Sequence, residues 1–136
     1  MTPLAEIREA AITALAAALD DIHVGPVRTY ARGLSDLPAA EVSTPRALVR
    51  RLDGDGSREV TATLQVMLMA AGSAPEGTLS PLAETVEATL LADGPLSALV
   101  DDWRDLVVEF DAGDGAESRP AALRMTFDVV IYTPAT

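Results

Sequence analysis

The sequence predicts an α+β domain, with a mainly antiparallel twisted sheet of four to five strands and helices packed on one face. Two long segments, residues 58–71 and 123–133, alternate apolar and polar side chains with a period of two. An amphipathic helix precedes them, and the other helical patterns form a separate block between them. A chain of 136 residues with 49% hydrophobic content suits one domain, 1–136, with its own core.

The first element is a helix predicted over residues 3–21. Its polar residues lie away from an apolar stripe with helical spacing, so one side of the helix can pack on a sheet. Gly25 and Pro26 are expected to end it, and residues 27–30 suit a short strand. The predicted stripe comprises Leu4, Ile7, Ala11, Leu15, Ala18 and Ile22.

A strand over residues 39–44 and a polar turn at 53–56 predict a hairpin with the long strand that follows. Pro45 is acceptable only at an edge or a strand break, because it lacks a backbone N–H. Residues 46–52 fit either a continued strand or one helical turn. The hairpin is expected to project from the domain as an arm around 45–58.

The long strand at 58–71 organises the prediction. Its inward side chains should be Val60, Ala62, Leu64, Val66, Leu68 and Ala70. Its second face carries no catalytic group and is only weakly polar, which suits a subunit interface. That face comprises Glu59, Thr61, Thr63, Gln65, Met67 and Met69.

The middle of the chain predicts a linker at 72–78 and a second helix that begins at Ser80. Its face carries Leu82, Val86 and Leu90. Residues 93–95, Asp-Gly-Pro, interrupt it, and 96–102 form a further helical turn. Alternation returns over 106–111, where Leu106, Val108 and Phe110 share one side of a strand.

Composition excludes several classes of protein. The chain has no cysteine, so it has neither a disulfide framework nor a thiolate zinc site. No apolar run approaches the length of a membrane span, and charged residues interrupt the N-terminal apolar segment, so we expect a cytosolic protein rather than a secreted one. A net charge of −11 argues against sequence-independent DNA binding, which needs a basic surface.

No catalytic, cofactor or metal site is predicted. The single histidine, His23, lies near the predicted helix C-terminus, where a cationic side chain needs no catalytic explanation. The Asp-Gly-Asp-Gly run at 53–56 starts like a calcium loop, but Arg58 and Leu64 occupy the positions that need Gly and an acidic ligand. We interpret it, and the similar run at 111–115, as turns. No phosphate-binding glycine motif is present.

Charge is segregated along the chain. Residues 76–117 hold eleven acids and one arginine, whereas residues 46–58 hold four arginines and two aspartates. A basic arm and an acidic body in one chain suit head-to-tail self-association, although a solvated surface explains the pattern equally well. The candidate interface residues are Arg46, Arg50, Arg51, Arg58, Thr61, Thr63, Gln65, Met67 and Met69.

In this order of elements the chain resembles the bacteriophage tail terminator proteins, the minor tail protein U family of lambda-like phages. The resemblance covers essentially the whole chain and is one of layout: an N-terminal helix, a short strand, Leu37-Pro38-Ala39 opening a strand, a polar arm, the long strand, middle helices and a final strand. This chain departs from that pattern in its arginine-rich arm and its few aromatics.

The resemblance implies a subunit of a hexameric ring without an active site or cofactor. Such a ring caps the tail tube at the head-proximal end of the virion, stops polymerisation of the tube protein and meets the head-completion proteins. It would assemble in the host cytoplasm, and DNA would pass through the bore without sequence-specific contact. Acids lining that bore would keep DNA from binding.

Three alternatives stay open at the level of sequence. The nearest is another head–tail connector or tail-completion ring, which gene order would distinguish. The second is a small enzyme or ligand-binding domain, which would need a pocket with convergent polar groups. The third is a cytosolic adaptor that dimerises by sheet pairing.

Overall fold

The computed structural model describes residues 3–27, 37–52, 54, 56–71, 75–113 and 120–133, and it confirms the α+β fold class. In the described part, helices pack against a five-stranded, mostly antiparallel sheet. The elements are α1 (Pro3–Ala18), β1 (His23–Pro26), β2 (Ala39–Arg51), β3 (Arg58–Ala70), α2 (Pro75–Leu91), α3 (Pro95–Leu99), β4 (Asp102–Asp111) and β5 (Ala121–Thr133).

The long strand β3 lies at the centre of the sheet, whose strand order is β1-β2-β3-β5-β4. It pairs antiparallel with both β2 and β5, and β4 pairs antiparallel with β5. Among the described strands, β1 alone runs parallel to its neighbour, β2. The predicted alternation of β3 is confirmed, because its six inward side chains are all buried and those of the second face are all partly exposed.

Helix α1 packs one stripe on the sheet, but that stripe ends differently from the prediction. Ile7, Ala11 and Leu15 are fully buried, and the next inward position is Leu19 rather than Ala18, which is exposed. The helix ends at Ala18 rather than at about residue 21, although the Leu19 N–H still bonds the Leu15 carbonyl at 2.7 Å. A spacing of four therefore defines the buried stripe throughout.

Gly25 and Pro26 do not end the helix as expected, because they lie in β1. The short strand thus begins at His23, four residues before its predicted start, and of the predicted range only residue 27 is described. Pro26 is tolerated because β1 is a four-residue edge strand. His23 opens this strand and is exposed, so the interpretation of it as a helix-terminal cation was wrong.

Strand β2 continues through Pro45 to Arg51, so the ambiguous segment is strand over 46–51 and not a helical turn. Its register with β3 shifts between Ser43, opposite Gln65, and Arg46, opposite Thr63. Two residues of β2, the second of them Pro45, therefore stand opposite one residue of β3, which defines a β-bulge. A bulge is one of the few places in a sheet that accept proline.

Helix α2 begins at Pro75, within the predicted linker, and not at residue 80. Pro75 suits a first helical position, and Pro81 lies inside the helix on its exposed side, where the carbonyl that loses its partner can reach water. The Thr85 hydroxyl donates to the Pro81 carbonyl at 3.1 Å. The buried side chains of the helix are Leu79, Val86 and Leu90.

Strand β4 starts at Asp102, earlier than predicted, because α3 is only five residues long. A register shift between Trp103 and Leu106 marks a second bulge. The Trp103 ring meets Phe127 edge-on, with centroids 5.9 Å apart and an interplanar angle of 76°. This contact attaches the start of β4 to the core.

None of the helices in the described part combines the length and the apolar character that a membrane crossing requires.

Candidate assembly surface

The face of the sheet that points away from the helices, hereafter the outer face, is not covered by any described helix. On β3 it presents partly exposed side chains such as Thr63, Gln65 and Met67. Neighbouring strands extend these into polar rows; for example, Arg46 and Asp128 flank Thr63. These rows make the centre of the outer face largely polar.

The bulge in β2 decides which way the arginines of the arm point. Before the bulge, Ala40 and Val42 face the core; after it, Ala47 and Val49 share the helix side with the core residues of β3. The extra residue shifts the alternation by one position. The arginines at even positions, Arg46 and Arg50 among them, therefore lie on the outer face.

The structure brings together seven of the nine predicted interface residues. The seven on the outer face are Arg46, Arg50, Thr61, Thr63, Gln65, Met67 and Met69. Arg51 and Arg58 do not belong to this group, because they occupy the helix side at the hairpin tip, directly opposite one another. Like charges in opposed positions destabilise a hairpin slightly.

The arm, residues 46–58, is open to solvent on both of its faces. Leu48 on the outer face and Val49 on the helix side are 54% and 51% exposed. The Leu52 N–H bonds the Ser57 carbonyl at 3.1 Å and closes the turn, where Gly56 has a φ of +91°. Neither the helix layer nor another described strand covers this end of the hairpin.

The opposite edge of the sheet is β4, and it is acidic. Its exposed carboxylates are Asp102, Asp105, Glu109 and Asp111. Val107 and Val108, on opposite faces, are 50% and 51% exposed, and Phe110 is 39% exposed. The prediction put Val108 and Phe110 on a shared side, which is correct. The helices lie mainly over β1, β2, β3 and β5, so these two side chains stay exposed on β4.

The acids of β4 belong to the acidic segment 76–117 that the sequence indicated, but no residue of β4 was among the candidate interface residues. Alternation alone cannot say whether a strand is covered, because coverage depends on where the helices lie. The available signal was the presence of four acids among the ten residues of β4, because charged side chains commonly protect an edge strand.

An arginine bridge crosses the outer face between β4 and β3. The Arg104 Nη2 lies 3.8 Å from the Glu59 Oε1, and its Nε lies 3.8 Å from the Asp102 Oδ2. Because β5 separates the two strands, the Arg104 side chain spans β5 near Val130, which is fully buried although it is on the outer face. The Arg104 side chain as a whole is 46% exposed, so this bridge lies at the surface.

Two of the surface depressions can be described in full, and neither gathers catalytic groups. One, of about 290 Å³, lies on the outer face beside Met67, Glu109 and Arg124. The other is a shallow stretch along the exposed side of α2 between Glu84 and Ala92. His23 lines neither of them.

The predicted turns fall partly outside the described residues. Asp53, Asp55 and residues 114–115 are not described, so the structure does not test cation binding there. Asp111 accepts a hydrogen bond from the Gly113 N–H through its Oδ1 at 2.9 Å, which is a turn interaction. Among the residues that are described, no three acids or histidines are grouped as a metal site.

The chain matches no protein-family model, and a search of curated proteins finds no significant match.

Proposed function

We propose that this chain is a structural subunit of a bacteriophage tail, a tail terminator that assembles into a ring and caps the tail tube. The observation that carries the proposal is the placement of charge on the sheet. A basic arm extends at one edge, and an acidic strand forms the other edge. Opposite charges on opposite edges favour head-to-tail contacts between identical copies, and such contacts close a ring when the rotation between copies permits.

The order of elements supports the same function. The tail-terminator layout to which the sequence is similar has an N-terminal helix, a polar arm between two strands, middle helices and a final long strand. The described part of this chain has those elements in that order, with β3 and β5 paired along their whole length. In the ring we propose, six copies would meet the tube protein on one face and the head-completion protein on the other.

Under this proposal the protein is not an enzyme, and it works by geometry. A ring bound to the last layer of tube protein removes the surface on which the next layer would polymerise. The complementary charges on the edges of one copy guide it to the next, and this steering weakens with salt. The protein would be located at the head-proximal end of the virion tail after assembly in the host cytoplasm.

The channel of such a ring must let DNA pass. Helix α2 carries exposed acids, of which Glu76, Glu84 and Glu87 are examples. We propose that acidic side chains of this kind line the bore, because an acidic wall makes no phosphate contacts that would retain DNA. A ring structure with an arginine-lined channel would contradict this part of the proposal.

Electron microscopy tests the function directly. The purified protein should be imaged alone and after mixing with tail tubes of the phage or prophage that encodes it. We expect closed rings of the tube's diameter at one end of each tube, and no further growth when tube protein is added. Tubes that keep growing in the presence of excess protein would refute a terminator. A ring bound only to heads would identify a head–tail connector instead.

A further inference from the structure

We infer that neighbouring copies join through their sheet edges, with β4 of one copy pairing antiparallel with the arm segment 46–49 of the next. This inference rests on the proposed ring and names the surfaces that form it. Three properties of the edges carry it: their unpaired backbone groups, their matching faces and their side-chain order.

The backbone groups of the two edges point outward at corresponding positions. The Leu52–Ser57 bond fixes the alternation of β2 against β3, so the N–H and C=O of Ala47 and Val49 point away from β3. On the other side, the Asp101 N–H bonds the Val130 carbonyl, so the even-numbered residues of β5 direct their backbone groups to β4.

The same alternation assigns the outward groups of β4. Val107 and Glu109 stand opposite even-numbered residues of β5 and use their N–H and C=O groups there. Leu106 and Val108 therefore direct theirs outward. No other strand in the described part pairs with β4 or with β2 beyond Val42 on that side, so both edges resemble surfaces used for strand addition.

The faces and the chain directions of the two edges also match. Across the sheet β2 and β4 run antiparallel to each other, because three antiparallel pairings separate them. A neighbour placed beside β4 in the same orientation therefore presents its β2 antiparallel to β4. The outward residues of both edges, such as Val49 and Val108, carry their side chains on the helix side. The sheet would continue with all helices on one face.

Side-chain order selects one register. When Leu48 stands opposite Val107, two half-exposed apolar side chains meet on the outer face. The same alignment puts Arg46 opposite Glu109, also on the outer face. It pairs Ala47 with Val108 and Val49 with Leu106 on the helix side. Three of the four pairs are therefore apolar, and the fourth joins an arginine to a glutamate. Both kinds of cross-strand pair stabilise neighbouring strands.

The register implies a stagger of the size found in closed barrels. Within one copy, Leu48 is level with Thr61 of β3, and Val107 is level with Gln65. Each copy is thus displaced by four residues, roughly 13 Å, along the strand direction relative to its neighbour. The four strands β2, β3, β5 and β4 of one copy span roughly 19 Å across the sheet. The resulting strand tilt is about 35°, within the usual range for closed barrels. Strand β1 enforces the stagger, because it occupies the edge of β2 at 39–42.

Disulfide trapping tests the contact in a chain that has no native cysteine. The variant with Leu48→Cys and Val107→Cys places two thiols at a directly opposed, non-hydrogen-bonded pair, where the Cα separation of about 4.5 Å permits a disulfide. Both side chains are half exposed, so neither change disturbs the core. The control is Leu48→Cys with Val108→Cys, which differs by one residue and puts the second thiol on the opposite face.

The assay is mild oxidation of the concentrated protein, followed by non-reducing electrophoresis and electron microscopy. The Leu48/Val107 variant should give a ladder of linked copies that ends at the ring, at least tenfold more than the Leu48/Val108 control. Each single-cysteine variant should stop at dimers. Circular dichroism of the reduced variants checks that they fold.

The outcomes separate this inference from the proposed function. Rings that form on tail tubes but do not cross-link would refute the edge pairing and leave the terminator in place. Equal ladders from the test variant and the control would refute the register. A Leu48/Val107 variant that gives no ladder either at about 1 mM alone or on tail tubes would refute the edge pairing. Cross-linked rings that never cap a tube would support the edge pairing and refute the terminator.

Discussion

The two faces of β3 lie in different environments, one buried in the apolar core and one partly exposed. One pair of substitutions measures how this difference affects the free energy of unfolding. Val66 is fully buried and lies between Val42 and Met125, whereas Thr63 is partly exposed on the outer face between Arg46 and Asp128. Val66→Thr replaces a methyl group with a hydroxyl on the core side. Thr63→Val makes the reverse replacement three residues away on the other side of the same strand.

The two substitutions should differ by about 2 kcal/mol, within a range of about 0.5–3.5 kcal/mol. A hydroxyl buried among apolar neighbours without a partner costs about 1–3 kcal/mol, and Val42 and Met125 offer no strong acceptor. Thr63→Val is a surface replacement, for which about 0.5 kcal/mol in either direction is usual. With a urea m-value of about 1–3 kcal/mol/M for a domain of this size, Val66→Thr lowers the midpoint by roughly 1 M.

Urea unfolding followed by tryptophan fluorescence measures both variants. Trp103, the single tryptophan, contacts Phe127 next to the core and reports loss of the packed state. The protein should be dilute enough to remain unassembled, and an unchanged m-value would show that the two-state comparison holds. Equal losses from Val66→Thr and Thr63→Val would refute the assignment of the two faces.

Three further predictions concern the helix end, the hairpin turn and the arm. Leu19→Ala should lower the free energy of unfolding by about 2–4 kcal/mol, because Leu19 is buried. Urea unfolding measures this loss, and a value below about 0.5 kcal/mol would contradict the assignment of Leu19 to the buried stripe of α1. Gly56→Ala should cost about 1–2 kcal/mol in a thermal melt, because φ is +91° there. Gly54→Ala, which has no positive φ, should cost less, and equal costs would contradict the turn geometry. Arg50→Glu with Arg51→Glu should leave the melting temperature within a few degrees and reduce ring formation or tail joining at least tenfold in electron micrographs. Unchanged assembly would exclude a role for these arginines.

The parts of the fold that the sequence predicted were those in which a local pattern determines burial. Alternation over a dozen residues identified β3, because successive side chains of a strand point to opposite faces and the apolar set therefore shares one face. The inward stripe of α1 was predicted as far as Leu15 but continued wrongly to Ala18. An alanine and a leucine in adjacent positions fit a helical stripe almost equally well, and only packing against the sheet distinguishes them.

Other elements depended on information that single residues do not carry. Helix α2 was predicted five residues too late because Pro81 is a good first helical residue, yet it lies on an exposed side where a missing hydrogen bond is cheap. Pro45 was recognised as a strand irregularity, but not as a bulge that turns the arm's arginines outward. The acidic strand β4 forms half of the candidate surface. Its exposure depends on which strands the helices cover, and a local sequence pattern does not encode that.

The bulge at Pro45 has a consequence for how this chain can change in length. Loops usually accept insertions and deletions, and the hairpin turn at 53–56 should tolerate them in the same way. Loss of one residue at the bulge would instead move every side chain of β2 after the bulge to the opposite face of the sheet. Arg46 and Arg50 would turn to the helix side, and Val49 would turn to the outer face. We therefore expect related sequences to vary in length at the hairpin tip and to keep the residue count between Val42 and Arg46 fixed.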